Sequence, residues 1–281
     1  MISGGAWQVR RRAAGRLAGM LLAMWTVSSL ALVGCGQDAA DPPAEKVQET
    51  PAVPATEDAG LTDSVLLLTF DETSLTYDGI REFPDAEGRS NGLVETANDG
   101  NVELTAGAAG RGQALRFPAV CAVTEGCPRA MVAIAHEAAL DPAEKDFSYG
   151  AGVLLPADQT AQGSNIVQKG RFGSSGGQWK LQVDTLDGKP SCVVRGEASL
   201  LAVRSTESIA DGQWHDVMCT KDDSGVSIEV DGTPTFERGE IGTVTNDFPI
   251  SVGSPGIGDR DDQFHGVLDD VFLTIEDVAG D

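Results

Sequence analysis

From residue 62 to residue 281 the apolar positions come in short bursts and never settle into a helical repeat. VLLLTF (65–70), NVELT (101–105), QALRF (113–117), FSYGAGVLL (147–155), NIVQKG (165–170), QWKLQV (178–183), SCVVRG (191–196), QWHDVMCTK (213–221), VSIEV (226–230), PISVG (249–253) and GVLDDVFLTI (266–275) are separated by Gly, Asp, Ser, Asn and Pro. Runs of this length, rich in β-branched and aromatic residues, predict strands. Several alternate strictly: Trp179, Leu181 and Val183 against Lys180, Gln182 and Asp184, or Val226, Ile228 and Val230 against Ser227 and Glu229. Alternation predicts one buried and one wet face per strand. Asp222-Asp223-Ser224-Gly225 and Asp231-Gly232 supply hairpin chemistry at either end of the run 226–230. The pattern predicts an all-β domain over 62–281, two antiparallel sheets packed as a sandwich.

The first 61 residues read differently. Arg10, Arg11, Arg12 and Arg16 precede an apolar run from Leu17 to Gly34 that stops at Cys35. A basic segment, an apolar segment and small residues before a cleavage point make an export signal over 1–34. The run is long enough to span a bilayer, but Leu32-Val33-Gly34-Cys35 resembles the lipobox of bacterial lipoproteins. That resemblance implies a covalent lipid on Cys35, the only membrane attachment, at the bacterial cell envelope facing periplasm or exterior. Two or three acyl chains, at about 0.8 kcal/mol per buried CH₂, anchor firmly where one does not. Residues 35–61, rich in Ala, Pro, Glu and Asp without apolar periodicity, read as a disordered tether.

Charge narrows the partners. All four charged residues of the signal are Arg, so the remainder carries 16 Lys and Arg against 43 Asp and Glu, a net charge of −27. Nucleic acid and anionic membrane surfaces are poor partners for such a field. With Cys35 lipidated, four cysteines remain in an oxidising compartment. Cys121 and Cys127 are close enough to staple a loop; Cys192 and Cys219 fall in two strand-like runs and are expected to bridge neighbours. No CxxC pair or His cluster favours a thiolate metal site.

The order Asp211-Gly212-Gln213-Trp214-His215-Asp216-Val217-Met218-Cys219, Val226-Ser227-Ile228-Glu229-Val230-Asp231-Gly232, Ile250-Ser251-Val252-Gly253 and Phe264-His265-Gly266-Val267-Leu268-Asp269-Asp270-Val271 resembles the laminin G-like modules of the concanavalin A-like lectin and glucanase superfamily. Leu67-Leu68-Thr69-Phe70-Asp71 and Gly88-Arg89-Ser90-Asn91-Gly92 are similar to the opening strand and turn. The resemblance implies a jelly roll and structural roles for Trp214 and His215. It also implies Ca²⁺ held by carboxylates and carbonyls at one rim, with Asp71, Asn91 and Asp269 as ligands; a hard cation of this kind takes six to eight oxygens.

The same superfold hosts glycoside hydrolases, which set carboxylates on one strand about 5 to 5.5 Å apart in a pattern such as ExDxE. Here Glu229-Val230-Asp231 is followed by Thr233 where the third acid belongs. A binding or adhesion module engaging a glycan or an envelope or extracellular protein is therefore expected, with no catalytic residues. An envelope glycan hydrolase and a non-binding structural lipoprotein are the alternatives. Trp7 and Trp25 leave with the signal, and Trp179 and Trp214 occupy core-like positions. Tyr77 remains as the ring expected to meet a ligand.

Overall fold

The computed structural model describes residues 64–276 apart from 77, 111 and 124, all within the compact unit Ala55–Asp281. The expected signal and tether, Cys35 and Tyr77 lie outside the described residues. Among the described residues, seventeen strands and three short 3₁₀ turns make up the regular structure, and no helix is long and apolar enough to cross a membrane.

In chain order the strands are β1 (Ser64–Leu68), β2 (Ser74–Leu75), β3 (Arg81–Phe83), β4 (Gly92–Ala97), β5 (Glu103–Ala106), β6 (Gln113–Arg116), β7 (Arg129–Ile134), β8 (Phe147–Leu154), β9 (Ser164–Lys169), β10 (Gln178–Val183), β11 (Pro190–Arg195), β12 (Leu200–Arg204), β13 (Trp214–Asp222), β14 (Gly225–Val230), β15 (Thr233–Arg238), β16 (Ile250–Val252) and β17 (Val267–Ile275). They form two antiparallel sheets. One has eight strands in the order β15-β14-β13-β8-β17-β6-β5, with β1 also beside β17; the other has nine, β12-β11-β10-β9-β16-β7-β4-β3-β2. The fold is an all-β sandwich, as the alternation predicts.

Between the sheets lies a core drawn from alternate positions of both: Val167, Trp179, Leu181, Val194 and Ile250 from one, Tyr149, Val153, Val217, Ile228 and Leu273 from the other, all almost fully buried. Tyr149 of β8 meets Trp179 of β10 with ring centroids 4.6 Å apart, and Phe147 stacks beside Tyr149 at 5.8 Å. Burial of each such side chain contributes roughly 1.5–3 kcal/mol. The Tyr149 hydroxyl donates to the Lys180 carbonyl, and burial pushes its ionisation far above the ordinary tyrosine range.

Both disulfides form as paired from the sequence, Cys121 with Cys127 and Cys192 with Cys219. One detail is corrected: Cys192 lies on β11 and Cys219 on β13, which belong to different sheets, so the bridge ties the two layers together and does not join neighbouring strands. Turn chemistry is realised at both hairpins. Asp222 Oδ1 accepts the N–H groups of Ser224 and Gly225 between β13 and β14. Asp231 (φ 50°) and Gly232 (φ 78°) are both left-handed, the two-residue turn whose twist suits β14 and β15.

Alternation misjudges solvent on one sheet. Gln178 and Gln182, on the face expected to be wet, are only 4% and 5% exposed. Trp214 departs the other way, being half-buried where a core position was expected.

Candidate functional site

Two places concentrate polar chemistry. The first is a rim created by a bulge in β17. Val267 and Leu268 pair with β6, whereas Val271 to Thr274 pair with β1, and the register against β8 slips between Asp269 and Phe272. Asp270 takes up the extra residue in a left-handed conformation (φ 45°). The exchange of neighbours opens room for Asp71, just past β1, and for the β5–β6 connection. Asp71 Oδ1 accepts the Gln113 N–H at 2.6 Å, while Asp269 accepts those of Ala108 (3.2 Å) and Asp270 (3.0 Å). Gly112, at φ 58°, lies so close that a Cβ there would stand 2.1 Å from the Asp71 carboxylate. Burial, together with the nearby negative charges of Asp270 and Asp71, raises the Asp269 pKa to about 6.

Asp71 therefore lies near enough to Asp269 for its charge to act there, though no hydrogen bond joins the two. Asn91 does not join them through any contact of the described residues. Its Oδ1 accepts the Asp85 N–H and its Nδ2 donates to Glu82, so it secures the turn leading into β4. Among the described residues no group of three or more His, Cys, Asp or Glu converges on one metal position. Asp269, its pKa raised by burial and by the nearby charges, and Asp71 beside tightly packed backbone nevertheless offer carboxylate oxygens that suit a divalent cation, which would draw further oxygens from main-chain carbonyls.

His215 is held between two acids, with Nδ1 2.7 Å from Asp231 and Nε2 3.1 Å from Asp211. Burial alone would lower its pKa, but the hydrogen bonds and charges of Asp231 and Asp211 outweigh it and the net direction is upward. Asp231 also accepts the Asp216 N–H, so both its oxygens serve the turn. Glu229 pairs across to Met218 and Pro234 at the outer face of the eight-stranded sheet.

The second place is the outward face of the nine-stranded sheet. Register sets Lys180, Gln168, Ser251 and Ala133 side by side across β10, β9, β16 and β7. Gln178 stands opposite Arg195, and Gln182 opposite Ser191 on one side and Asn165 on the other. These side chains point away from Trp179 and Leu181, yet Gln168, Gln178, Gln182, Ser191 and Ser251 are all at most 5% exposed. The Asn165 amide and Gln182 Oε1 are buried without a protein partner. The face is a trough, walled by the β9–β10 loop and the segments flanking β16. Its open part is a cleft of about 380 Å³ lined by Glu95, Met131, Gln168, Arg171, Phe248 and Ser251, among others.

Next in the chain to a lining residue stands a ring that the strand pattern does not single out. Phe172, directly after Arg171, is 85% exposed. The loop around it is tied down: Ser174 Oγ donates to the Arg171 carbonyl at 2.7 Å, Arg195 donates to the carbonyls of Arg171 and Ser174, and Arg171 donates to Pro255 at 3.0 Å. The available signal was a lone aromatic inside Gly170-Arg171-Phe172-Gly173-Ser174-Ser175-Gly176-Gly177.

Comparison with known proteins adds the relatives. A laminin G family model of the concanavalin A-like lectin/glucanases superfamily matches residues 130–274. No curated protein matches the chain. Among solved structures, domain 4 of AbnA, an extracellular arabinanase from Geobacillus stearothermophilus in complex with arabinotriose, is similar with a TM-score of 0.55 and 15% identity, over 76% of this chain and 92% of that one. The binding domain of Paraclostridial Mosquitocidal Protein 1 follows at 0.52 and 14%, over 76% and 49%. The binding domain of botulinum neurotoxin DC in complex with SialylT gives 0.51 and 12%, over 77% and 49%. The chain thus spans about half the length of each toxin domain, and at these identities the likeness is one of fold.

Proposed function

Because the chain belongs to the concanavalin A-like lectin/glucanases superfamily, through a laminin G-like sandwich, we propose that it is a binding module that takes a glycan in the trough of its nine-stranded sheet. One observation carries this reading: Gln168 and Ser251 stand side by side on an outward face and line a cleft of about 380 Å³, with Gln178, Gln182 and Ser191 packed on the same face beside them. Sugar hydroxyls both donate and accept, and Gln and Ser side chains match them in both roles. Neighbouring strands lie about 4.8 Å apart, so a chain of sugar rings crossing the strands meets a fresh side chain at every step. Among the solved relatives, one carries arabinotriose, which supports a saccharide as a partner, while a toxin binding domain is also found with rat synaptotagmin II, so the choice of glycan rests on the trough.

The reading assigns recognition and no catalysis. Hydrolysis of a glycosidic bond takes two carboxyl groups about 5 to 9.5 Å apart across the scissile bond. Glu95 is the one carboxylate among the described residues lining the cleft. At the other site, Asp71 and Asp269 would hold Ca²⁺, whose charge would stabilise the two acids and fix the β5–β6 connection against β17. Cys35, diacylated after export, would anchor the domain to the bacterial envelope through the tether 35–61, and the chain's acidity keeps it off anionic lipid surfaces.

A glycan array and a pulldown from envelope extract, each run on the full chain in mild detergent with Ca²⁺ and with chelator, test the assignment. Saturable binding to saccharides is expected. Capture of protein partners with no retained glycan would contradict it.

A further inference from the structure

Resting on the trough as the glycan site, we infer that its ligand is a neutral oligosaccharide and that Phe172 is the platform on which one of its rings stacks. The charge argument comes first. The chain is strongly acidic, so an acidic polysaccharide approaches against its field. Within the cleft the charges balance: Arg171 and Glu95 line it together, and the rest of the lining is amide, hydroxyl, backbone or apolar, with Met131, Phe248, Pro249 and Pro255 among the last. Arg171 is already committed to the Pro255 carbonyl and steadies the wall. Arg171 is the one cation of this lining, and Lys180 stands beyond Gln168 on the same face.

Phe172 would add a second ring beside the cleft, whose lining already includes Phe248. Recognition of a neutral sugar combines hydrogen bonds to its hydroxyls with burial of the C–H face of its ring, and the floor residues Gln168 and Ser251 serve only the first. Phe172 is the most exposed large apolar side chain among the described residues, at 85%. It sits next in the chain to a residue that lines the cleft. Its backbone is fixed by hydrogen bonds from Ser174 and Arg195 to the Arg171 carbonyl, with Gly173 (φ 80°) making the turn behind it. A ring held bare on an ordered loop enters a complex with little further loss of freedom.

The test is calorimetric titration of the full chain in mild detergent with cellohexaose, xylohexaose, mannohexaose and arabinohexaose as neutral probes, and with tetragalacturonate and sialyllactose as acidic ones. Phe172→Ala, Phe172→Trp and Leu186→Ala, the last an exposed side chain on the β10–β11 turn, are titrated alongside. At least one neutral probe is expected to bind, about tenfold more weakly in Phe172→Ala, as loss of roughly 1.4 kcal/mol of ring contact requires. Phe172→Trp should restore affinity and shift its tryptophan emission on binding, and Leu186→Ala should match the wild type. Neutral binding indifferent to Phe172→Ala overturns the platform and leaves the trough standing. Binding of acidic probes alone overturns the neutral assignment. Failure of every probe removes the glycan reading and this inference with it.

Discussion

At the scale of single residues, His215 and Asp269 carry the clearest electrostatic consequences. The His215 imidazolium is stabilised between Asp211 and Asp231, so its folded pKa lies above the unfolded value near 6.5. The stability it contributes is fully present below that unfolded value, provided the acids stay ionised, and is lost as pH rises through the folded pKa. Urea unfolding should therefore find His215→Ala most destabilised relative to wild type between about pH 5 and 6.5, with the gap narrowing towards pH 9. Asp269 has the opposite sense. A carboxyl whose pKa is raised to about 6 by burial and by Asp270 and Asp71 favours the folded state when protonated. Without a cation, stability should fall as pH rises from about 4 through 6. In chelator at pH 7, Asp269→Asn should raise the melting temperature, because it removes a buried charge while an amide oxygen can still accept the Ala108 N–H. Added Ca²⁺ should stabilise the wild type, by about 2.7 kcal/mol at a hundredfold excess over Kd, and leave Asp269→Asn unchanged. Identical melting curves for both proteins in both conditions would remove the cation from the rim.

At the scale of elements, the ties between layers dominate. The Cys192–Cys219 bridge closes a loop of sequence separation 27 between β11 and β13. Loop entropy puts its contribution at about 3 to 4 kcal/mol, so the Cys192→Ala/Cys219→Ala double variant should unfold at correspondingly lower urea. Lys169, wholly buried on β9, is paired with Asp141 at 2.6 Å and donates also to Asn246. Asp141→Asn should cost roughly 3–5 kcal/mol, because it strands a buried ammonium; Lys169→Met with Asp141→Leu should cost less than Asp141→Asn alone. A larger loss in the double variant would show that the pair is a net source of stability.

Legibility in the sequence followed the same elements. β10, β13 and β14 stood out because alternating residues are bracketed by Asp, Ser and Gly turns. β7 escaped because RAMVAI is apolar on both faces, one turned to the core and the other to the trough, which erases the period of two. β15, TPTFER, is a polar edge strand containing Pro234 and reads as a loop. The rim acids Asp71 and Asp269 could be named only through the laminin G-like resemblance, carried in part by Leu268-Asp269-Asp270-Val271; the bulge in β17 that sets Asp269 at the rim is not readable from that stretch. The trough could not, since Glu95, Met131, Gln168 and Ser251 become neighbours only through the sheet order β9-β16-β7-β4, and spacing along the chain holds no trace of that order.

At the scale of the whole molecule, the sandwich divides its labour between two faces. The eight-stranded sheet carries the bulge, the acidic rim and the His215 clasp; the nine-stranded sheet carries the sheltered polar trough. A module tethered at the envelope would present that trough to passing saccharide while the acidic surface keeps the domain soluble and repels anionic polymers. The most direct measurement of the central claim is to fill the trough. Ser251 lies on its floor between Gln168 and Ala133, so Ser251→Trp places a bulky side chain where the glycan would lie. The variant and the wild type are compared by thermal melting and by titration with the neutral hexasaccharide that the wild type binds best. The account predicts a melting temperature within a few degrees of wild type and affinity reduced at least a hundredfold. Undiminished binding in a folded Ser251→Trp variant would contradict it and move the recognition site off the nine-stranded sheet.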